Sequence, residues 1–148
     1  MLLFELLAIL SLILINGYFA ATEIALISLR KSRVRHLVKV GNPRAKLVHR
    51  LQENPQRFLA TAQIGVTLIG SLASALGGII AIERLKPMIL NIPNGFIRSA
   101  AEPIAVGLVV SIITYITLVV GELVPKSLAI RYAEQIAFLN AAPIDYLA

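Results

Sequence analysis

The sequence contains three apolar runs, each close to or above the length needed to cross a lipid bilayer. They cover residues 6–29, 56–82 and 104–122, against the roughly 20 residues that span a hydrocarbon core of about 30 Å. Apolar residues make up 57% of the 148-residue chain, above the roughly 45–50% typical of soluble domains. The pattern predicts an all-α membrane protein whose three transmembrane helices lie in the lipid bilayer.

Basic residues are concentrated between the first two runs. Eight of the 14 Lys and Arg residues lie within residues 30–50, which contain no acid. Because cytoplasmic loops carry the excess of Lys and Arg, this loop is expected to be cytoplasmic. We therefore predict a multi-pass protein of the cell inner (plasma) membrane, with its N-terminus outside and its C-terminus cytoplasmic. The net charge of +6 is then a topology signal, and no nucleic-acid partner is expected.

Short amphipathic helices are predicted beside the spans, at about residues 31–53 and 127–148. Gly41, Asn42 and Pro43 divide the first of these segments, because Gly suits a helix end, Asn an N-cap and Pro a first turn. Basic amphipathic helices next to spans typically lie in the membrane interface. The chain stops within the last pattern, so we expect further cytoplasmic domains that are absent from this sequence.

The stretch Gly121–Lys126 ends the third apolar run with a glycine, a carboxylate and a proline. A charged residue inside a bilayer costs roughly 2.5 kcal/mol or more, and Pro125 removes a backbone donor and frees a carbonyl one turn earlier. These residues predict a broken third span that presents a carboxylate and carbonyl oxygens, the ligands of a hard cation. The alternative is that Glu122 lies at the interface, pairs with Lys126 and ends the helix.

The first run carries two polar residues that share one helix face, Asn16 and Glu23. Asn16 is interpreted either as an interhelical hydrogen-bond partner or as part of a site. Glu23 is expected to face protein or a water-filled cavity, because an acid is costly against lipid.

The second run combines two every-fourth rows of residues. Gly70, Ser74 and Gly78 form a small-residue ridge, which favours close helix packing or a dimer surface. Polar side chains form the other row, at Gln63, Thr67 and Ser71. Interhelical hydrogen bonding is the simpler explanation for that row, and a polar wall of a site is the other.

Three stretches together resemble the transmembrane domain of the CNNM/CorC family, in its hemolysin-like branch: Asn16–Leu26, Gln63–Leu68 and Gly121–Lys126. The resemblance implies a homodimer with three spans per subunit, followed by a cytoplasmic pair of cystathionine-β-synthase-type (CBS) domains. Family members of the CorC type export Mg²⁺ in exchange for Na⁺. Their dehydrated Mg²⁺ is held among the three spans, near the broken third helix.

The resemblance also implies a set of site residues. By position, the Glu122 carboxylate and the Gly121 carbonyl carry over to the metal site, and Pro125 to the helix break. The chain departs from the CorC pattern at Ala20, where a Ser is common, and in the second span, where an Asn-rich stretch is missing. The oxygen-bearing residues available to replace those ligands are Thr67, Ser71, Thr22 and Asn16. Glu23 is expected to hold a second cation or to pair with Lys126 and lock a cytoplasmic gate.

Three functional hypotheses follow. The first is export of a divalent cation, best Mg²⁺, coupled to Na⁺ entry. The second is export of a polyamine or another organic cation, with Glu23 and Glu122 meeting two amines. The third is a dimeric anchor or sensor that positions cytoplasmic regulatory domains without transport. An enzyme is not expected, because the chain has no Cys and no phosphate loop or nucleophile–base pair, and both His36 and His49 lie among arginines.

Overall fold

The computed structural model of the protein describes residues 2–147, which are helical almost throughout and contain no strand. The α-helices are α1 (Leu2–Ser28), α2 (Lys31–Lys39), α3 (Pro43–Glu53), α4 (Pro55–Ile80), α5 (Lys86–Leu90), α6 (Gly95–Ser99), α7 (Ala101–Leu118), α8 (Val124–Arg131) and α9 (Ala133–Leu147). Two π-helical segments, π1 (Ala81–Leu85) and π2 (Val119–Leu123), join α4 to α5 and α7 to α8.

Three of the described helices are long and apolar enough to cross a membrane. They cover Leu3–Ser28, Pro55–Leu90 and Ala101–Arg131. The prediction of an all-α membrane protein with three spans is therefore confirmed. Beside them, α2 and α3 are the short amphipathic helices expected in the basic loop, and the Asn42 side chain accepts hydrogen bonds from the Arg44 and Ala45 amides at the start of α3.

The interruption predicted in the third span is a π turn, and the chain remains helical through it. Pro125 follows π2 by two residues, and Pro87 follows π1 by two residues. In a π turn, each amide donates to the carbonyl five residues back instead of four. This wider turn leaves room for a proline ring, which would clash with the carbonyl four residues back in a regular α-helix. The third helix therefore continues from Glu122, its predicted end, to Arg131, and the second continues beyond residue 82 to Leu90. The segment in which the last short helices are predicted, 127–148, is covered up to residue 147 by the end of α8 and by α9.

The first helix is the centre of the packing, since α1 contacts α4, π2, α8 and α9. Small residues allow these close approaches. A Cβ on Gly17 would lie 2.9 Å from a Pro125 ring carbon, and one on Gly65 would lie 2.8 Å from the Phe19 ring. By contrast, a Cβ on Gly78 would meet nothing within 4 Å. The glycines that bring helices together within this chain are thus outside the predicted Gly70–Ser74–Gly78 ridge.

The juxtamembrane helices α2, α3 and α9 pack around one end of α1. The largest buried apolar cluster lies here and includes Leu26, Val34, Val48, Phe58 and Ile144. Gln52 is buried, and its Nε2 donates to the carbonyl oxygens of Leu26 and Leu29, at 3.0 and 2.9 Å. This amide satisfies carbonyls that the end of a helix leaves unpaired, so α3 is fixed to the last turn of α1.

Ion pairs also join these helices at the surface. Arg33 donates two hydrogen bonds to Glu134, each 3.1 Å long, and Arg50 lies 3.2 Å from Asp145. The hydrogen bond to Glu134 and the charge of that carboxylate raise the pKa of the Arg33 guanidinium above its usual value. Exposed pairs such as these contribute little stability, so the buried cluster and Gln52 hold α9 and α3 in place.

The glycine contacts lead to a prediction about stability. Gly65→Ala would place a methyl group against the Phe19 ring, and overpacking of this kind costs about 1–3 kcal/mol. Gly78→Ala is the matched control in the same helix, because its added methyl group meets open space. Thermal unfolding of the purified protein in detergent should show a lower midpoint for Gly65→Ala and no loss for Gly78→Ala. Equal midpoints would contradict the close contact between α1 and α4.

Candidate functional site

A cavity of about 200 Å³ lies where the three long helices meet. Each span contributes to it: α1 through Asn16, α4 through Val66, Gly70 and Ser74, and the third helix through Thr114, Thr117, Leu118 and Glu122. The polar groups are therefore one carboxylate, one amide and three hydroxyls, all with oxygen atoms. Apolar side chains and a glycine complete the wall.

Asn16 joins α1 to the π2 segment. Its side chain is only 1% exposed, and its Nδ2 donates a 2.9 Å hydrogen bond to the Gly121 carbonyl. Its other polar atom, Oδ1, is buried and has no hydrogen-bond partner among the described residues. A buried polar atom without a partner is unusual, because desolvation without a hydrogen bond is costly. Asn16 is thus an interhelical hydrogen-bond donor that also lines the cavity, and its side-chain oxygen is left without a partner among the described residues.

Glu122 lies in π2 and is paired with Lys126, one turn further along. The Lys126 Nζ is 2.6 Å from the Glu122 Oε1, and both side chains are about 30% exposed (29% and 31%). An ion pair is less costly in an apolar environment than a lone acid. Glu122 therefore pairs with Lys126. It also lines the cavity, and the helix continues past it to Arg131.

Thr117 is a cavity residue that the sequence pattern does not single out. Its Oγ1 is buried and, like the Asn16 Oδ1, has no hydrogen-bond partner within residues 2–147. Thr117 precedes Glu122 by five residues. Residues five apart do not share a face of an α-helix, whose neighbours are three or four apart, but five is the hydrogen-bond spacing of a π-helix. The only signal that could have found it is the proline after Glu122, which requires a relaxed turn.

Comparison with known families decides what kind of domain this is. A sequence model of the Cyclin M transmembrane N-terminal domain matches residues 6–148. The chain belongs to the CNNM family. The domain is 45% identical over 143 residues to the UPF0053 protein sll0260 of Synechocystis, 32% identical to the UPF0053 inner membrane protein YfjD of Escherichia coli, and 35% identical to the polyamine export protein of Haemophilus influenzae.

These matches cover 97%, 90% and 88% of the CNNM domain, but only 31%, 28% and 30% of the three relatives. The chain therefore spans about a third of the length of the curated relatives it matches. The family and the membrane-embedded nature of the domain follow directly from the comparison.

Several residues that the sequence predicts as cation ligands in this CNNM domain are not brought to the cavity. Thr67 and Ser71 lie on an exposed face of α4, and the Ser71 hydroxyl donates to the Thr67 carbonyl at 2.8 Å. The neighbouring Gly70 and Ser74, predicted as a packing ridge, line the cavity instead. Gly78, the third member of that ridge, is not among the lining residues.

Thr22 and Glu23 also lie outside the cavity. The Thr22 hydroxyl is fully buried against α9, where it donates to the Tyr18 carbonyl and accepts a 2.7 Å hydrogen bond from Asn140 Nδ2. Glu23 is half-buried, and Lys126 pairs with Glu122 rather than with it. Of the predicted residues, the structure thus groups Asn16, Gly121 and Glu122 around one point.

The described residues contain no cluster of three or more His, Asp or Glu side chains. A cation in this cavity would therefore meet a single carboxylate surrounded by neutral oxygens. Such a set suits a hard cation that keeps part of its water shell, since Mg²⁺ is commonly bound through one or two carboxylates and several waters.

The Asn16 hydrogen bond leads to a second stability prediction. Asn16→Leu keeps a similar volume but removes the hydrogen bond to the Gly121 carbonyl, which is expected to lower the free energy of unfolding by about 1 kcal/mol. Ser11→Ala is the control, because among the described residues the Ser11 hydroxyl bonds only to the Leu7 carbonyl of its own helix. Unfolding in detergent should separate the two variants, and a stable Asn16→Leu protein would contradict this link between α1 and π2.

Proposed function

We propose that this domain forms the cation-binding part of an exporter, with Mg²⁺ as the best candidate substrate and Na⁺ entry as the coupled flow. One observation carries the proposal. Glu122 lines one cavity between three spans together with Asn16 and Thr117, and the side-chain oxygens of these two residues are buried without hydrogen-bond partners among residues 2–147. Polar and ionisable groups between membrane-spanning helices are costly and are usually retained for function.

The oxygen set favours a hard cation over a soft one. Mg²⁺ takes about six oxygen ligands in near-octahedral geometry, and the cavity offers Glu122, Asn16 and Thr117, with hydroxyls of Thr114 and Ser74 nearby. The remaining positions would be filled by water, for which a volume of about 200 Å³ leaves room. The Gly121 carbonyl has a second lone pair and is a further candidate ligand.

Lys126 gives this site a means of release. Its ammonium neutralises Glu122 in the structure, so an entering cation has to displace it, and the returning ammonium helps the cation to leave. Alternating access would come from α1 and the third helix moving against α4, with π2 and Pro125 as the hinge. Na⁺ entering by the same route would supply the energy.

One observation favours a second candidate, export of a polyamine. The Lys126 ammonium already sits on Glu122, so this carboxylate accepts an alkylammonium group. The Haemophilus influenzae relative is named a polyamine export protein. Against this candidate, Glu23 is absent from the cavity wall, so a second amine would need an acid from elsewhere.

The proposal extends to the whole protein. We expect a homodimer in the inner membrane, with residues 30–53 and the C-terminus cytoplasmic and a CBS-domain pair following the membrane part. The exposed row of Gln63, Thr67 and Ser71 on α4 supports the dimer, because polar side chains facing lipid are unfavourable and a second copy would cover them. The low coverage of the relatives supports the additional domains.

The site assignment is tested by cation flux from proteoliposomes with an imposed Na⁺ gradient, together with titration calorimetry. Glu122→Gln should weaken Mg²⁺ binding by roughly tenfold or more, since bonds to a charged group contribute about 1.5–3 kcal/mol. Thr117→Val should weaken it by about fivefold. Thr67→Val is the matched control, with the same change on the outer face of α4, and should bind normally.

The same assay distinguishes the alternatives. Flux of putrescine without Mg²⁺ flux would replace the leading candidate by the second. Absence of flux for both, with Mg²⁺ binding unchanged in Glu122→Gln, would leave a dimeric anchor or sensor. A loss of binding in Thr67→Val equal to that in Thr117→Val would contradict the cavity as the site.

Lys126 generates a separate prediction. Lys126→Met removes the competing ammonium and leaves Glu122 unpaired, so Mg²⁺ affinity should rise by roughly tenfold while flux falls, because release is no longer assisted. Calorimetry gives the affinity and proteoliposomes give the rate. A Lys126→Met protein that binds Mg²⁺ as weakly as Glu122→Gln would show that Lys126 supports the site instead of competing for it.

A further inference from the structure

A second cavity, of about 280 Å³, lies away from the candidate site, where α2, α3 and the start of α4 meet. Its lining residues are Lys31, Arg35, His49, Gln52, Glu53 and Asn54. Three of these side chains carry or can carry positive charge. The volume is at the small end of ligand pockets, which are about 300–1,000 Å³, so it suits a small anionic group rather than a large cofactor.

Gln52 and Asn54 show at which level of the membrane this cavity lies. Gln52 donates to the carbonyl of Leu26, in the last turn of the first span, and to that of Leu29, one residue after its end. Asn54 directly precedes Pro55, the first residue of the second span. The cavity therefore lies where two spans leave the membrane, the level at which lipid headgroups carry their phosphates.

Its charge is incompletely neutralised. Within residues 2–147, neither Lys31 nor Arg35 forms an ion pair, whereas Arg33 pairs with Glu134. The one acid on the rim, Glu53, is largely exposed, and its Oε1 lies 3.6 Å from His49 Nδ1. Two free cations thus face one cavity, and an anion between them would relieve their repulsion.

We infer that this cavity binds the phosphate of an anionic lipid headgroup, whichever substrate the domain transports. Arg35 would contact the phosphate through its planar guanidinium and Lys31 as a point charge. A free phosphate has the same chemistry, but the level of the cavity at two span ends favours a phosphate held at the membrane surface. A bound lipid would link α2 and α3 to the start of α4.

The test uses the full-length protein, extracted with mild detergent and analysed by native mass spectrometry after addition of phosphatidylglycerol or phosphatidylcholine. The Lys31→Gln/Arg35→Gln double variant removes the two cavity cations. Lys39→Gln/Arg44→Gln is the matched control, because it removes the same charge from exposed positions outside the cavity. All four substitutions are at exposed residues, and thermal unfolding checks that both proteins are folded.

The expected result is retention of phosphatidylglycerol by the wild type and the control, and retention about tenfold lower in the cavity variant. Equal losses in the two double variants would overturn the proposal in favour of general surface electrostatics. A parallel titration with inorganic phosphate separates the sources. Saturable phosphate binding that needs Lys31 and Arg35, without lipid retention, would overturn the lipid assignment. Absence of both phosphate binding and lipid retention would also overturn it, and would indicate that another part of the full-length protein covers the cavity.

Discussion

The hydrogen bond from Asn16 to the Gly121 carbonyl determines how the first and third helices meet. It is possible only because glycines stand at the contact. A Cβ on Gly121 would lie 3.2 Å from the Asn16 amide nitrogen, and one on Gly17 would press into Pro125. The contact fixes π2 against α1, and π2 in turn directs Glu122 into the cavity. Without it, the carboxylate would have no defined position relative to the first span.

The bilayer explains why the fold could be predicted from sequence. A span must satisfy its own backbone and present an apolar surface along its whole length, so the three runs and the basic loop are visible in the residue pattern. The Gly121–Lys126 stretch was equally informative, because an acid and a proline in an apolar run have few explanations. In the structure Asn16 bonds to Gly121 and lines one cavity with Glu122, while their role as cation ligands stays a prediction.

The bilayer also explains why half of the candidate site could not be predicted. In a soluble protein, polarity separates the buried face of a helix from the exposed one, but lipid is as apolar as a protein core. Nothing in the pattern of the second span therefore indicates that Gly70 and Ser74 face the cavity while Thr67 and Ser71 face outward. Thr117 was missed for a different reason, since π2 changes the angular relation of residues before and after it. The partner of Thr22, Asn140, is distant in sequence and has no local signal.

The hydrogen bond between Asn140 and Thr22 has a mechanical consequence. Thr22 lies on α1 less than two helical turns from Asn16, taking 3.6 residues per turn, and its bond to α9 is buried and short. A force that displaces α9 is therefore applied to the same rigid rod that carries Asn16, and it acts close to the cavity. A rotation of α9 would therefore change the spacing between α1 and π2, because the part of α1 from Asn16 to Thr22 is one continuous helix.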